Sequence, residues 1–311
     1  MQNMTRFLIK RILWLIPVLL GVYVLVFSVL YLCPGDPATF VLGTDATQEE
    51  LDAFRHEYGL DQTYIVRLAN SMKATFIDFD FGKSYITGGS VGDQLKVRLP
   101  YTLLISYIGI ALAVLIGIPL GIIAATNQNT WKDSLAILVS LFATSMPSFW
   151  FALILVMYFG LKLRILPTIG VESWKGYIIP CVATAIGGAA GIARQTRSSM
   201  LEVIRQDYIV TARAKGQKEF KVIGYHALKN ALIPVITIVG SNMAALVGNS
   251  LICENIFSIP GIGAYLISGV NRRDFPVVLG CVVVLCLIFS LTMLVLDIIY
   301  AIVDPRLRSI H

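Results

Sequence analysis

Apolar residues gather along this chain into six long runs, separated by stretches rich in charge, glycine and proline. The first run extends from about Ile12 to Leu32, and the others cover about 101–126, 134–160, 177–196, 231–253 and 276–303. Twenty-one helical residues at 1.5 Å each reach about 32 Å, enough to cross a hydrocarbon core about 30 Å thick. The pattern predicts an all-α integral membrane fold with six transmembrane helices. Pro100 and Pro147 fall at or within spans, where neighbouring helices satisfy the freed carbonyls. Ser145 and Ser148 flank Pro147, and the segment reads as a span bent by a plain proline kink. Gly117-x-x-x-Gly121 and Gly187-x-x-x-Gly191 predict close helix contacts.

The segments between the runs carry the polar pattern. Residues 1–11 form a short basic N-terminus, and Arg6, Lys10 and Arg11 before the first span resemble the start of a signal peptide. The apolar stretch is too long for one, and no small-residue cleavage site follows. Tyr31 and Leu32 are likewise too bulky for a lipoprotein signal ending at Cys33. Residues 33–98 are polar and rich in turns, with Pro34-Gly35-Asp36-Pro37 and Gly88-Gly89, and hold ten acids against six bases. Within them Thr47, Gln48, Glu49 and Glu50 precede Leu51, Phe54 and Tyr58, the pattern of a capped amphipathic helix over Asp45–Gly59. The membrane core then occupies 99–303, with the longest polar insert at 200–230, and 304–311 close the chain.

Charge sets the orientation. With the N-terminus inside, the inner segments 1–11, 127–133, 194–230 and 304–311 hold fourteen of the 25 basic residues and five of the nineteen acids. The outer segments hold eleven bases and thirteen acids, with Asp297 inside the last span. An excess of Lys and Arg marks the cytoplasmic side. Both termini are therefore expected in the cytoplasm of a bacterial or archaeal plasma (inner) membrane, with 33–98 as a small extracytoplasmic domain between helices 1 and 2. The net charge of +6 is topogenic, and no nucleic-acid partner is expected. The partner along the spans is membrane lipid.

Composition narrows the chemistry. Hydrophobic residues make up 56% and charged ones 14%, far from the roughly 25% charged of soluble domains. Cys33, Cys181, Cys253, Cys281 and Cys286 are odd in number and contain no CxxC pair, and His56, His226 and His311 stand far apart. The cysteines read as packing residues, and no metal site is expected. Gly82-Lys83-Ser84 mimics the end of a phosphate-binding loop, but Ile77 stands where the loop needs glycine. Span interiors are nearly free of charge, and Asp297 lies within two turns of the end of the last span. It reads as interfacial or helix-pairing rather than as the proton relay of an ion-coupled carrier. No HExxH, GxSxG or paired intramembrane aspartates occur, so no catalytic residue is expected.

The insert Arg194–Asn230 carries the most information. Leu201, Ile204, Tyr208 and Ala212 share one face of a helix over Met200–Ala214, and Gly216 provides a turn. Phe220, Ile223 and Ala227 share one side of a second helix over about Glu219–Leu228. Two short helices joined at a glycine make a cytoplasmic knob parallel to the membrane.

Asp207-Tyr208-Ile209-Val210-Thr211-Ala212-Arg213-Ala214-Lys215-Gly216, followed by His226-Ala227-Leu228-Lys229-Asn230-Ala231-Leu232-Ile233-Pro234, resembles the EAA loop of ABC importer permeases. Val210 replaces the generic Glu and proline does not directly follow Leu228, as in the dipeptide, oligopeptide and nickel branch. Further fragments resemble that branch in order: Arg11-Ile12, Pro34-Gly35-Asp36-Pro37, Tyr58-Gly59-Leu60-Asp61-Gln62, Gly82-Lys83-Ser84-Tyr85 and Ser145-Met146-Pro147-Ser148-Phe149-Trp150. Glu254 to Gly263, Arg273-Asp274-Phe275-Pro276 and Asp304-Pro305-Arg306 complete the set.

The resemblance implies a type I importer permease, the first subunit of a pair with a second homologous permease. Two ABC ATPases binding ATP and Mg would sit beneath, and an extracytoplasmic substrate-binding protein would deliver di- or oligopeptides. This chain itself would bind no cofactor. The same branch imports nickel, glutathione and other small solutes. An ATP-independent channel or carrier would need no partner at Thr211–Gly216. The ATPase-coupling residues implied are Asp207, Tyr208, Thr211, Ala212, Arg213, Ala214, Lys215, Gly216, His226, Lys229 and Asn230, with Arg213 and Lys215 pairing with ATPase groups. Ser145, Ser148, Asn242, Asn249 and Ser250 are candidates for a polar translocation path, and interhelical hydrogen bonding suits the asparagines equally.

Overall fold

A computed structural model describes residues 2–303, with side chains throughout except at 2–8, 244–247, 249 and 300–303. The Asp304-Pro305-Arg306 fragment, the segment 304–311 and the side chain of Asn249 lie outside the described residues. Regular structure among the described residues is helical, apart from one isolated bridge between Lys83 and Ser90. Among the described residues, five helices are long and apolar enough to cross a bilayer, or six when the bent pair Trp131–Ser145 and Ser148–Lys162 counts as one. The chain divides into two compact units, one built on Leu8–Thr102 and Pro260–Leu291, the other on Leu103–Ile259.

The first unit begins with α1 (Gln2–Leu32), followed by the short helices α2 (Pro37–Leu42), α3 (Gln48–Glu57) and α4 (Tyr64–Phe76). The expected cap of α3 is present: Glu50 N–H donates to Thr47 Oγ1 at 3.3 Å and Thr47 N–H to Glu50 Oε2 at 2.8 Å. Pro37 opens α2 because its fixed φ suits a first helical position. Asp36 caps that helix through Ala38 N–H at 3.2 Å and also accepts from Arg55 Nη2 at 2.7 Å. Burial raises the Asp36 carboxyl, but Arg55 and the Ala38 and Thr39 donors outweigh it and hold the group below its ordinary range. Tyr23, Phe27, Leu279 and Val283 form one core with residues of α4.

Fragments far apart in sequence interlock in this unit. The buried Asp274 accepts from Ser84 Oγ and, at 3.1 Å, from Tyr85 N–H. Arg273 Nη1 donates to Pro34 O, and its guanidinium lies 5.0 Å from the Phe40 ring centroid. Gly35 has φ +106 and faces that guanidinium so closely that any Cβ there would overlap it. Tyr85 packs edge-on to Phe54 and Tyr58, and burial pushes its hydroxyl up to about 12. Pro34–Pro37, Tyr58, Gly82–Tyr85 and Arg273–Pro276 thus belong to one packed structure. This unit also includes α12 (Ile262–Asn271), whose first N–H is held by Thr102 Oγ1 at 2.9 Å.

The second unit is organised around α8 (Ile178–Ile204), which packs against α6 (Trp131–Ser145), α7 (Ser148–Leu155) and α11 (Leu228–Ile256). Helix α5 (Val91–Thr126) approaches α8 through glycine. A Cβ on Gly117 would sit 2.6 Å from Ala189 O, and one on Gly121 would sit 2.5 Å from Ala193 O and Thr196 Cβ. Gly187 differs from expectation: nothing lies within 4 Å of a Cβ there. Both glycines of the first pair therefore set a close helix contact, whereas in the second only Gly191 meets another helix, at an ordinary 3.8 Å from Asn242 Nδ2. Gly121→Val is expected to lower stability by about 1–3 kcal/mol through overpacking, whereas Gly187→Ala should be neutral. Thermal unfolding of the purified complex, followed by tryptophan fluorescence, checks both.

The segment 134–160 is not the kinked helix that proline alone suggests. Met146 (φ −90°, ψ 129°) and Pro147 (φ −60°, ψ 137°) are both extended, and α6 and α7 meet at 101°. Proline disfavours the helical region for the residue before it, and two successive extended residues turn a kink into a break. α7 then continues as a π-helical segment, Val156–Lys162. The last helix is α13 (Phe275–Val303).

Candidate functional site

The insert expected to form two helices, 200–214 and 219–228, is divided differently. α8 runs on to Ile204, Arg205 and Gln206 interrupt it, and α9 (Asp207–Ala214) is a separate helix of eight residues. After Gly216 come α10 (Glu219–Lys221) and a π-helical turn, Val222–Ala227, which leads directly into α11. The second expected helix is therefore the start of a long one.

Gly216 closes α9 in a Schellman arrangement. Its φ is +73, its N–H donates to Arg213 O at 2.9 Å, and Gln217 N–H donates to Ala212 O at 3.4 Å. This is the left-handed position where a helix end favours glycine. Ile209, Ala212, Val222 and Ala227 turn inward and pack with Met200 and Ala231 into one buried cluster.

Phe220, expected on the inner side with Ile223 and Ala227, is instead 90% exposed, and Val222 takes the buried place at 0%. The π-turn shifts the register, so spacing of 3 and 4 no longer tracks one face. Exposed with Phe220 are Tyr208, Val210 and Tyr225, together with Asp207, Thr211, Ala214 and the cations Lys215, Lys218, Lys221 and Lys229. Phe220 and Tyr225 thus stand outward among lysines.

Polar contacts at the surface connect the two sides of the turn. Arg213 grips Glu219 with two bonds, Nε to Oε2 at 3.1 Å and Nη2 to Oε1 at 2.6 Å, and the carboxylate holds the guanidinium above its ordinary pKa. His226 Nε2–H donates to Gln217 Oε1 at 2.8 Å, and Asn230 Nδ2 donates to Tyr208 Oη at 2.7 Å. Arg213, expected to reach outward, already has a partner in its own chain, as does His226. Glu219 and Gln217 were not singled out from the sequence. Their role depends on the fold-back at Gly216, and their only trace is an acid six residues after Arg213.

The base of the site is fixed by an ion pair. Arg197 on α8 donates to both oxygens of Asp133, at 2.6 and 2.7 Å, and Asn129 N–H adds a third bond at 3.1 Å. Asp133 is 3% exposed. The other candidates lie apart from the turn. Ser145 Oγ donates to Leu141 O at 2.8 Å, and Ser148 begins α7. Asn242 Nδ2 reaches Gly188 O at 3.4 Å, an interhelical hydrogen bond, and Ser250 is fully buried.

Comparison with known proteins covers nearly the whole chain. Residues 117–309 match the model described as "Binding-protein-dependent transport system inner membrane component", and residues 4–106 match its N-terminal companion. The glutathione transport system permease protein GsiC of Escherichia coli (strain K12) is 37% identical over 305 residues, covering 98% of this chain and 99% of the relative. A putative peptide transport system permease protein of Brucella abortus (strain 2308) is 37% identical over 313 residues with the same coverage. A chain from the inward-facing MetNI methionine ABC transporter superposes with a TM-score of 0.56, at 19% identity, over 68% of this chain and 96% of that one. That likeness is one of fold.

Proposed function

Because this chain belongs to the binding-protein-dependent transport system inner membrane components, the permeases of ABC importers, we propose that it forms half of a translocation path for di- or oligopeptides. A permease is a transport component and not an enzyme, and its family implies an ATPase and a binding protein as partners. We place both termini in the cytoplasm, because the segments then inside carry most of the Lys and Arg. Residues 33–98 then face outward, a surface for the binding protein, and a second homologous permease completes the path.

The observation that carries the reading is the turn Asp207–Lys221. One face is buried against its own unit, while Phe220 and a set of lysines stand outward, and Arg213–Glu219 links the two sides of the turn. An amphipathic projection with a packed inner face suits docking on an ATPase that carries ATP and Mg. In alternating access, closure of the two ATPases would move this turn as a lever and open the path outward.

Relatives named for glutathione and for peptides are equally similar, and glutathione is itself a tripeptide. Short peptides are therefore the cargo class that unites the comparisons. Proteoliposomes holding both permeases, both ATPases and the binding protein are expected to accumulate a labelled tripeptide only with internal or external ATP on the ATPase side. Uptake by the permeases without ATPases would instead favour a channel or carrier. Uptake of nickel but of no peptide would move the cargo to another class within the family.

A further inference from the structure

We propose that Arg194 is a carboxylate-recognition site inside the translocation path, taking the C-terminal carboxylate of a peptide cargo; this rests on the peptide reading above. Sequence placed Arg194 at the mouth of a polar insert. In the structure it lies ten residues before the end of α8, on an exposed part of that helix.

Its depth follows from two contacts on α6. Arg197 reaches Asp133 at the start of α6, whereas Arg194 Nη1 reaches Thr144 Oγ1 at 2.9 Å, one residue from its end. Asp133 and Thr144 are separated by eleven residues, about 16 Å along the helix. With Asp133 at one boundary of a hydrocarbon core about 30 Å thick, Thr144 stands near its middle. The two arginines therefore diverge, and the Arg194 guanidinium reaches along α6 toward the break at Met146–Pro147. An intramembrane cation is costly and belongs at a water-filled route or a partner charge.

The contacts of this guanidinium leave it open. Nη1 meets only the Thr144 hydroxyl and, at 3.5 Å, the Ser140 carbonyl, both neutral. Among the described residues no carboxylate pairs with it, and Nε and Nη2 keep their donors. Beside it α6 breaks at Met146–Pro147, with Thr144, Ser145 and Pro147 exposed. Broken backbone at membrane depth occurs where it is covered by protein or lines a wet cavity. A planar guanidinium with two donors free matches a carboxylate in a two-point arrangement, and each peptide with a free C-terminus brings one.

The test uses the complete complex in proteoliposomes, with trialanine and trialanine amide as cargo, and reads the ratio of their uptake rates. Arg194→Gln is expected to lower that ratio by about tenfold or more, the loss of a hydrogen bond to a charged group. Arg194→Lys, which keeps the charge but loses the planar two-point fit, should lie between wild type and Arg194→Gln. Thr144→Val, which keeps the charge but removes the α6 contact, should lie nearer Arg194→Lys than Arg194→Gln. An unchanged ratio in Arg194→Gln, with both cargoes slowed equally or not at all, overturns the site and assigns Arg194 to bracing α6 or to a partner acid. If Arg194→Gln does not assemble, a fall in Arg194→Lys as large as that expected for glutamine overturns it as well. Absence of trialanine uptake by the wild type would count against the peptide reading and remove the inference with it.

Discussion

Asp133→Ala is expected to destabilise the assembled permease by about 3–5 kcal/mol, the cost of stripping one partner from a buried ion pair. The carboxylate is 3% exposed and takes three donors: Arg197 Nε, Arg197 Nη2 and the Asn129 N–H. Its loss leaves a guanidinium whose side chain is 24% exposed without its partner, and an orphaned backbone donor at Asn129. The same ion pair ties the 127–130 turn to α8, and Arg205 adds a bond to Gln128 at 3.2 Å. Damage at Asp133 should therefore spread to the root of the α9 turn. Replacing both partners by apolar residues, Asp133→Ala with Arg197→Leu, should recover more than half of the loss, since no charge is then left unpaired. Thermal unfolding of the detergent-solubilised complex measures all three proteins. A single-mutant loss below about 1 kcal/mol would show that water reaches the pair and that the bond is an ordinary surface contact.

How much of this was legible beforehand depended on the range of the interaction. The Thr47/Glu50 cap and the glycine at the end of α9 are local patterns, and each appears in the structure at the residues that carry it. Features set by a partner element were not legible. The break at Met146–Pro147 and a simple kink share one sequence, and the choice depends on Met146 leaving the helical region. Gly117 and Gly187 head identical motifs, but only Gly117 meets another helix closely. Phe220 and Val222 exchange faces because a π-turn intervenes at Val222–Ala227. The family fragments were recognisable one by one, whereas the bonds joining Ser84 to Asp274 and Arg273 to Pro34 span about 190 and 240 residues.

Gly216→Arg is expected to cut ATP-driven uptake by about thirtyfold or more, the equivalent of losing one interface hot spot of about 2 kcal/mol. Two effects combine. The left-handed backbone at φ +73 costs a residue with a Cβ about 1–2 kcal/mol. No described residue lies within 4 Å of a Cβ there, so the new side chain projects outward without disturbing the buried cluster around Ile209 and Val222. It then adds bulk and charge to the surface that bears Phe220 and the lysines. Gly216→Asn separates the two effects, because asparagine tolerates this backbone region and is short. It should keep uptake within about threefold of wild type, with the Arg213–Glu219 brace intact. ATPase co-purification with each variant, measured beside uptake, locates the defect. Loss of both in Gly216→Arg alone places the contact surface at the turn. Full ATPase retention and normal uptake in that variant would leave the turn without a docking role, and the projecting aromatic at Phe220 would then need another partner.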